Sequence, residues 1–273
     1  MNRGVEPGLS PQRVVSLVPS MTDSMLALGL GRFLIGVTDY CPVPEAQSGI
    51  PRVGGPKDAR VAEIAGLRPE MVFANAEENP ESLIDALEKS GLRVWVAFPK
   101  TVRQAVSDLR DLAMMYASET ALQSVVWLDR AVDWLEGSRP QKSMRVFCPV
   151  WREGPAEKPD GWVTPNGDTY ADDLLSLCGA ENVFAGRTDS RYPPVTPDDV
   201  IAADPEIILL PDEPFAFQEE DTSYFFRNLT TLQAVQQQKI RRVDGRLLFW
   251  HGTRLGVAIQ QVPQWFRYPR EEK

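Results

Sequence analysis

The sequence predicts an α/β protein of two similar, Rossmann-like lobes joined by a long, rigid linker helix, with a ligand cleft between the lobes. Three observations predict it. Short apolar runs alternate with helical patterns in both halves, the mark of a mainly parallel sheet. The halves echo each other: residues 22–29 (TDSMLALG) match 171–178 (ADDLLSLC), and 63–74 (EIAGLRPEMVFA) match 199–210 (DVIAADPEIILL). Between them, residues 101–136 contain no Gly or Pro and carry apolar residues at helical spacing. The expected division is an N-terminal lobe over 1–100, linker helices over 101–140 and a C-terminal lobe over 141–273.

The elements follow in order. Residues 14–18 (VVSLV) form a buried apolar run and read as a strand. Thr22 and Asp23 can cap the helix that runs through Leu28, with Gly29 near its stop. Residues 33–37 form the next strand, and 40–58 are a long loop rich in Pro and Gly. A helix over 61–67 leads to a strand over 71–74. A helix over 80–90, stopped at Gly91, leads to a strand over 94–97. Leu109, Leu112, Ala113 and Tyr116, then Leu122, Val125, Leu128, Val132 and Leu135, mark one or two long helices, with Ser118 as an internal cap and 137–140 (GSRP) as the end. The rhythm then restarts: a strand over 146–150, helices over 172–177 and 198–203, a strand over 207–210, a helix over 229–236, a strand over 247–249 and a closing helix over 255–266. The strands at 71–74 and 207–210 each run into an acidic, proline-bearing knot. In open α/β sheets, ligands sit beyond such carboxyl ends.

Composition narrows the function. Apolar residues make up 43% of the 273, enough for a real core, and the net charge is −9. That balance argues against nucleic acid and against an anionic lipid surface. No run approaches a membrane span. The first 13 residues lack the apolar stretch of a secretory signal, so a cytoplasmic location is expected if Met1 is the true start. The three cysteines, Cys41, Cys148 and Cys178, are too few and too widely spaced for a disulfide framework or a zinc site and read as buried thiols. G-x-S-x-G, the P-loop and H-E-x-x-H are absent, and His251 is the one histidine. A multi-histidine metal site is therefore excluded, and a serine triad would have to use His251. A hydrolase built on carboxylates alone stays open here, although no spacing favours it. No catalytic residue and no metal ligand set is assigned.

Five stretches together resemble a known family: 13–29 (RVVSLVPSMTDSMLALG), 52–82 (RVGGPKDARVAEIAGLRPEMVFANAEENPES), 168–184 (DTYADDLLSLCGAENVF), 191–217 (RYPPVTPDDVIAADPEIILLPDEPFAF) and 243–255 (VDGRLLFWHGTRL). The chain is similar to the helical-backbone metal-chelate receptors, the type III substrate-binding proteins of cobalamin, ferric-siderophore and haem ABC importers. The likeness is nearest to the cobalamin-binding branch.

The resemblance implies two α/β lobes bridged by a helix, small lobe motions on binding, no covalent chemistry, no cofactor, and a chelate ligand, cobalamin-like or iron-bearing. It also implies an ABC permease dimer as partner and a periplasmic or cell-surface location. It places Tyr40, Trp151, Tyr192, Trp250, His251 and Arg254 around the ligand. A corrinoid or haem is a broad, partly apolar disc, which calls for aromatic walls with a few polar anchors. It places Glu81 and Asp198, one at a helix start on each lobe, against permease arginines, where charge-assisted contacts fix orientation. Glu77, Glu78 and Asn79 read as a solvated loop or cap, with a cleft-lining role as the alternative.

The sequence also departs from the branch. Pro56 and Asn75 stand where the cobalamin binder has cleft tryptophans, which leaves a ferric siderophore or haem as the alternative ligand. Residues 151–167 are long and are expected to form a lid with Trp162. A cytoplasmic carrier of the same fold is the remaining alternative.

Overall fold

Residues 9–138 and 142–266 are described by the structure, a computed structural model. They fall into two units. The first runs to Pro99 and adds Arg103–Arg130 and Trp250–Leu255; the second holds Lys100–Val102, Ala131–Phe249 and the chain from Gly256.

In the first unit, β1 (Val14–Ser16), β2 (Leu34–Val37), β3 (Met71–Asn75) and β4 (Val94–Ala97) form a parallel sheet in the order β2-β1-β3-β4. Helices α1 (Pro19–Ala27), α2 (Val61–Gly66) and α3 (Glu81–Lys89) connect them. All five residues of β3 are buried, as expected of a central parallel strand covered on both faces. Leu17, Ile64, Val72 and Leu87 are fully buried in one core cluster. Helix α1 starts earlier than the sequence reading, with Pro19 in its first turn instead of a cap at Thr22. Proline lacks the N–H that this position would waste, and its φ already suits a helix. Gly29 follows at φ +72° and Gly91 follows α3 at φ +80°, the left-handed ends that favour glycine.

The long apolar stretch forms two helices, α4 (Val102–Met115) and α5 (Glu119–Gly137). Ala117 takes φ +46° between them, and Ser118 Oγ accepts the Ala121 N–H at 3.3 Å, so Ser118 caps α5 as its spacing predicts. Arg103 on α4 reaches Asp129 on α5 at 2.9 Å, and Arg110 does the same at 2.9 Å. Arg139 and Pro140, the expected stop, lie outside the described residues.

The second unit repeats the first. Strands β5 (Met144–Phe147), β8 (Ala180–Asn182), β10 (Ile207–Pro211) and β11 (Ile240–Val243) form a parallel sheet in the order β11-β10-β5-β8. Read from the other edge, this matches the first sheet strand for strand. Strands β6 (Trp151–Glu153), β7 (Gly161–Val163) and β9 (Pro194–Val195) make a small antiparallel sheet. Helices α6 (Tyr170–Leu177), α7 (Pro197–Ala203), α8 (Glu219–Asn228) and α9 (Gln233–Gln236) pack around them, followed by α10 (Arg246–Phe249) and α11 (Leu255–Trp265).

Three expectations are corrected here. The strand expected at 247–249 is the one-turn helix α10, and the true strand is β11, whose sequence is Ile-Arg-Arg-Val. Leu247 and Leu248 are both buried, as they would also be in a parallel strand covered on both faces, so the short apolar run alone does not distinguish the two. The helix expected at 229–236 shrinks to α9, and the unexpected α8 precedes it. Helix α8 is set by an acidic first turn, by a capping box between Gln218 and Asp221, and by buried Tyr224 and Phe225. Trp162 is no lid residue. It is 1% exposed and stacks on Phe225 with ring centroids 5.1 Å apart, inside the core that also holds Phe147 and Phe184. Among the described residues no helix is long and apolar enough to cross a membrane.

Candidate ligand site

Each sheet reverses its winding once. In the first unit the chain passes from β1 to β2 on one side, then to β3 on the other, so β1 and β3 flank the reversal. In the second unit β5 and β10 flank it. The carboxyl ends of these strands are where an open α/β sheet leaves room for a ligand.

At the first of these points the knot after β3 is a closed hydrogen-bond system. The Asn75 N–H donates to Asn79 Oδ1 at 2.7 Å, and the Glu77 N–H donates to Asn75 Oδ1 at 2.7 Å. Asn79 Nδ2 donates to the Pro56 carbonyl at 2.7 Å. Asn75 and Asn79 are both buried. Asn79 is thus a loop brace, while Glu77 lies at the exposed rim.

Asn75 Nδ2 faces His251 Nε2 at 2.8 Å. Its oxygen is already taken by Glu77, so the nitrogen must be the donor and Nε2 the acceptor. The neutral imidazole then carries its proton on Nδ1, and the lone pair of Nε2 is engaged. Burial drives the imidazole pKa down from 6.5 to about 4. His251 is therefore held as a neutral hydrogen-bonding group. Trp250, half-buried, lies under Arg254, whose Cζ is 5.1 Å from the ring centre, and Arg254 pairs with Asp23 at 3.1 Å. The structure thus brings Trp250, His251 and Arg254 together. Tyr40, three residues past β2, is 72% exposed. Arg52 fixes its loop by donating to the carbonyls of Thr38 at 2.6 Å and Cys41 at 2.9 Å.

In the second unit, Trp151 opens β6 just past β5, half-exposed, and packs edge-on against Phe215 with centroids 5.0 Å apart. Phe215 follows β10 and rests on Phe217 at 4.9 Å. Arg152 lies 5.1 Å from the Phe215 ring centre and is paired with buried Asp221. This aromatic platform stands at the second reversal. Sequence reading names Trp151 but not Phe215, which stands in the knot after β10, and it names Asn75 as a departure from the cobalamin-binding branch but not as the partner of His251. Tyr192 is half-buried, and its ring lies 5.8 Å from the Arg191 guanidinium. Arg191 in turn lies 3.5 Å from Asp168, which Lys100 holds at 2.6 Å. The Lys100 hydrogen bond, first, lowers the Asp168 pKa.

Glu81 is exposed at the first residue of α3, and Asp198 is exposed in the first turn of α7. The neighbouring Asp199 is committed to its capping box with Thr196. The cysteines are free and buried, and burial pushes Cys148 and Cys178 up to about 12. Among the described residues no cluster of His, Cys, Asp or Glu could hold a metal ion. A cavity of about 740 Å³ in the second unit, lined by Trp134, Met144, Cys178, Ile259 and Phe266, lies by the start of β5, the amino end of that sheet and the wrong end for this kind of site.

The sequence profile of the periplasmic binding protein family matches residues 14–247. A vitamin B12-binding protein of Yersinia pestis (strain Pestoides F) is 29% identical over 267 residues, an alignment that covers 94% of this chain and 87% of the relative. The crystal structure of the periplasmic vitamin B12 binding protein BtuF of Vibrio cholerae superposes with a TM-score of 0.78 at 22% identity, covering 94% of this chain and 96% of that one. The periplasmic heme binding protein HutB of Vibrio cholerae does so with a TM-score of 0.78 at 22% identity, covering 94% and 99%. At that identity the two structures speak for the fold.

Proposed function

The chain belongs to the periplasmic binding protein family, and from that premise we propose that it is the receptor of an ABC importer whose ligand is a cobalamin-like corrinoid. The observation that carries the choice of ligand is the 29% identity, over 94% of the chain, to a vitamin B12-binding protein. The site chemistry supports it. Trp250 with Arg254, and Trp151 with Phe215, offer aromatic faces with cationic neighbours at the carboxyl ends of two sheets. Such faces suit a broad ring system with polar substituents. Tyr40 and Tyr192 are the further ligand contacts in this reading, and His251, buried and neutral, supports the site. The protein binds and releases its ligand without covalent chemistry, outside the cytoplasmic membrane. Glu81 and Asp198 are its handles on the permease.

The likeness to a heme binding protein, with a TM-score of 0.78, favours haem as the second reading. A fluorescence titration with cyanocobalamin, haemin and a ferric hydroxamate separates the two. Saturable quenching by cyanocobalamin, lost stepwise in Trp250→Ala and in Trp151→Ala, is the expected result. Binding of haemin alone would transfer the assignment to the second reading, and binding of none would end both.

A further inference from the structure

The six residues Trp250–Leu255 belong to the first unit, although the chain on either side belongs to the second. They are tied down at four successive positions. His251 receives the Asn75 amide at 2.8 Å. Gly252 takes φ +106°, and a Cβ there would lie 2.2 Å from Ser24 Oγ, so the chain passes α1 where a side chain would collide. The Thr253 N–H donates to Ser24 Oγ at 3.1 Å, while Ser24 itself donates to the Ser20 carbonyl at 2.8 Å. Arg254 is held by Asp23 at 3.1 Å. Trp250 and Arg254, at the two ends of this strip, are left half-buried with their faces together.

Asn75 has no freedom in this arrangement. Its N–H and its side-chain oxygen are both bound within its own loop, and that loop is tied to Pro56 through Asn79. The direction of the amide is therefore set before it meets His251. We infer that Asn75 is a positioning residue for ligand binding, acting through His251 to fix the strip 250–255 so that Trp250 and Arg254 meet the ligand as one preset surface. This rests on the reading that Trp250 and Arg254 touch the ligand. The physical gain is preorganisation: a ring and a guanidinium already ordered lose less conformational freedom on binding.

The test uses the full chain and its single histidine. In a ¹⁵N-edited spectrum of the imidazole, the wild type is expected to show the Nδ1–H tautomer, and Asn75→Ala a mixture. Asn75→Ala is expected to weaken cyanocobalamin binding about tenfold, the scale of one lost buried hydrogen bond. In a double-mutant cycle, the same change made in Trp250→Ala should cost less than about twofold. Additive costs, or unchanged affinity in Asn75→Ala, would overturn the inference. Asn75→Asp covers a failure of the alanine variant to fold. Its carboxylate can accept from a histidine reprotonated at Nε2, so the contact survives, and affinity is expected within about threefold of wild type. If that tautomer appears and affinity is still lost tenfold, the contact does not position the strip.

Should the wild type bind no ligand at all, the corrinoid reading falls separately. Acrylamide quenching of Trp250, taken as the difference from Trp250→Phe, then decides the positioning claim. Greater quenching in Asn75→Ala upholds it, and equal quenching refutes it.

Discussion

His251 carries a linkage that can be measured. Its imidazole titrates at about 4 in the folded protein against an ordinary 6.5, because burial penalises the charged form. Above pH 6.5 it is neutral in both states and costs nothing. As pH falls from about 6.5 to about 4, the unfolded chain takes up a proton that the folded chain refuses, so stability is lost across that window. The full loss is on the order of 3 kcal/mol from this one group. The lowered carboxylates, Asp199, Asp204 and Glu206 among them, keep their contribution until pH falls below their ordinary values of 3.8 to 4.5. The two effects therefore separate on the pH axis. Urea unfolding from pH 7.5 to 4.5 is expected to show falling stability in the wild type and a flatter profile in His251→Gln, whose side-chain oxygen can still accept from Asn75. Parallel profiles would mean that His251 titrates normally.

Among the elements, those read correctly from sequence are the ones whose signal is local. Strand β4 was found at its exact bounds because four apolar residues stand between turn signals, and Ser118 was found because a cap must break an apolar helical repeat. The misses have physical causes. Strand β11 reads Ile-Arg-Arg-Val, an edge strand whose arginines hide its period. Helix α8 begins in three acidic residues, and its buried face of Asp221, Tyr224 and Phe225 is too short and too polar to mark a helical period. Residues 151–167 read as a lid with Trp162 because the stretch is long, whereas pairing of β7 with β6 and β9 turns Trp162 inward. Its role is settled by what substitution would cost. Trp162→Ala is expected to destabilise by about 3–5 kcal/mol, as for other buried aromatics. Trp162→Phe should keep ligand affinity within about twofold in the same titration. A stable alanine variant with weakened binding would restore the lid.

For the whole molecule, the duplicated topology was legible because the echo between residues 63–74 and 199–210 carries the same strand into the same place, β3 and β10. The candidate site was legible only in part. Single aromatic residues near strand ends could be named, but the partners that make them surfaces, Phe215 for Trp151 and Asn75 for His251, come from contacts between distant parts of the chain. Glu81→Lys with Asp198→Lys is expected to abolish ligand uptake in cells that carry the cognate permease, with affinity in solution kept within about threefold, since exposed charges contribute little to a distant site. A collapse of affinity would move those carboxylates to the ligand.

In the proposed reading, the aromatic surfaces at the carboxyl ends of the two sheets bind a corrinoid. Titration of the purified chain with cyanocobalamin, read by its own tryptophan fluorescence, is the decisive measurement. Saturable one-to-one quenching is expected, with affinity weakened about tenfold or more in each of Trp250→Ala and Trp151→Ala. Quenching that never saturates, or that saturates with wild-type affinity in both variants, would show that these surfaces do not hold a corrinoid.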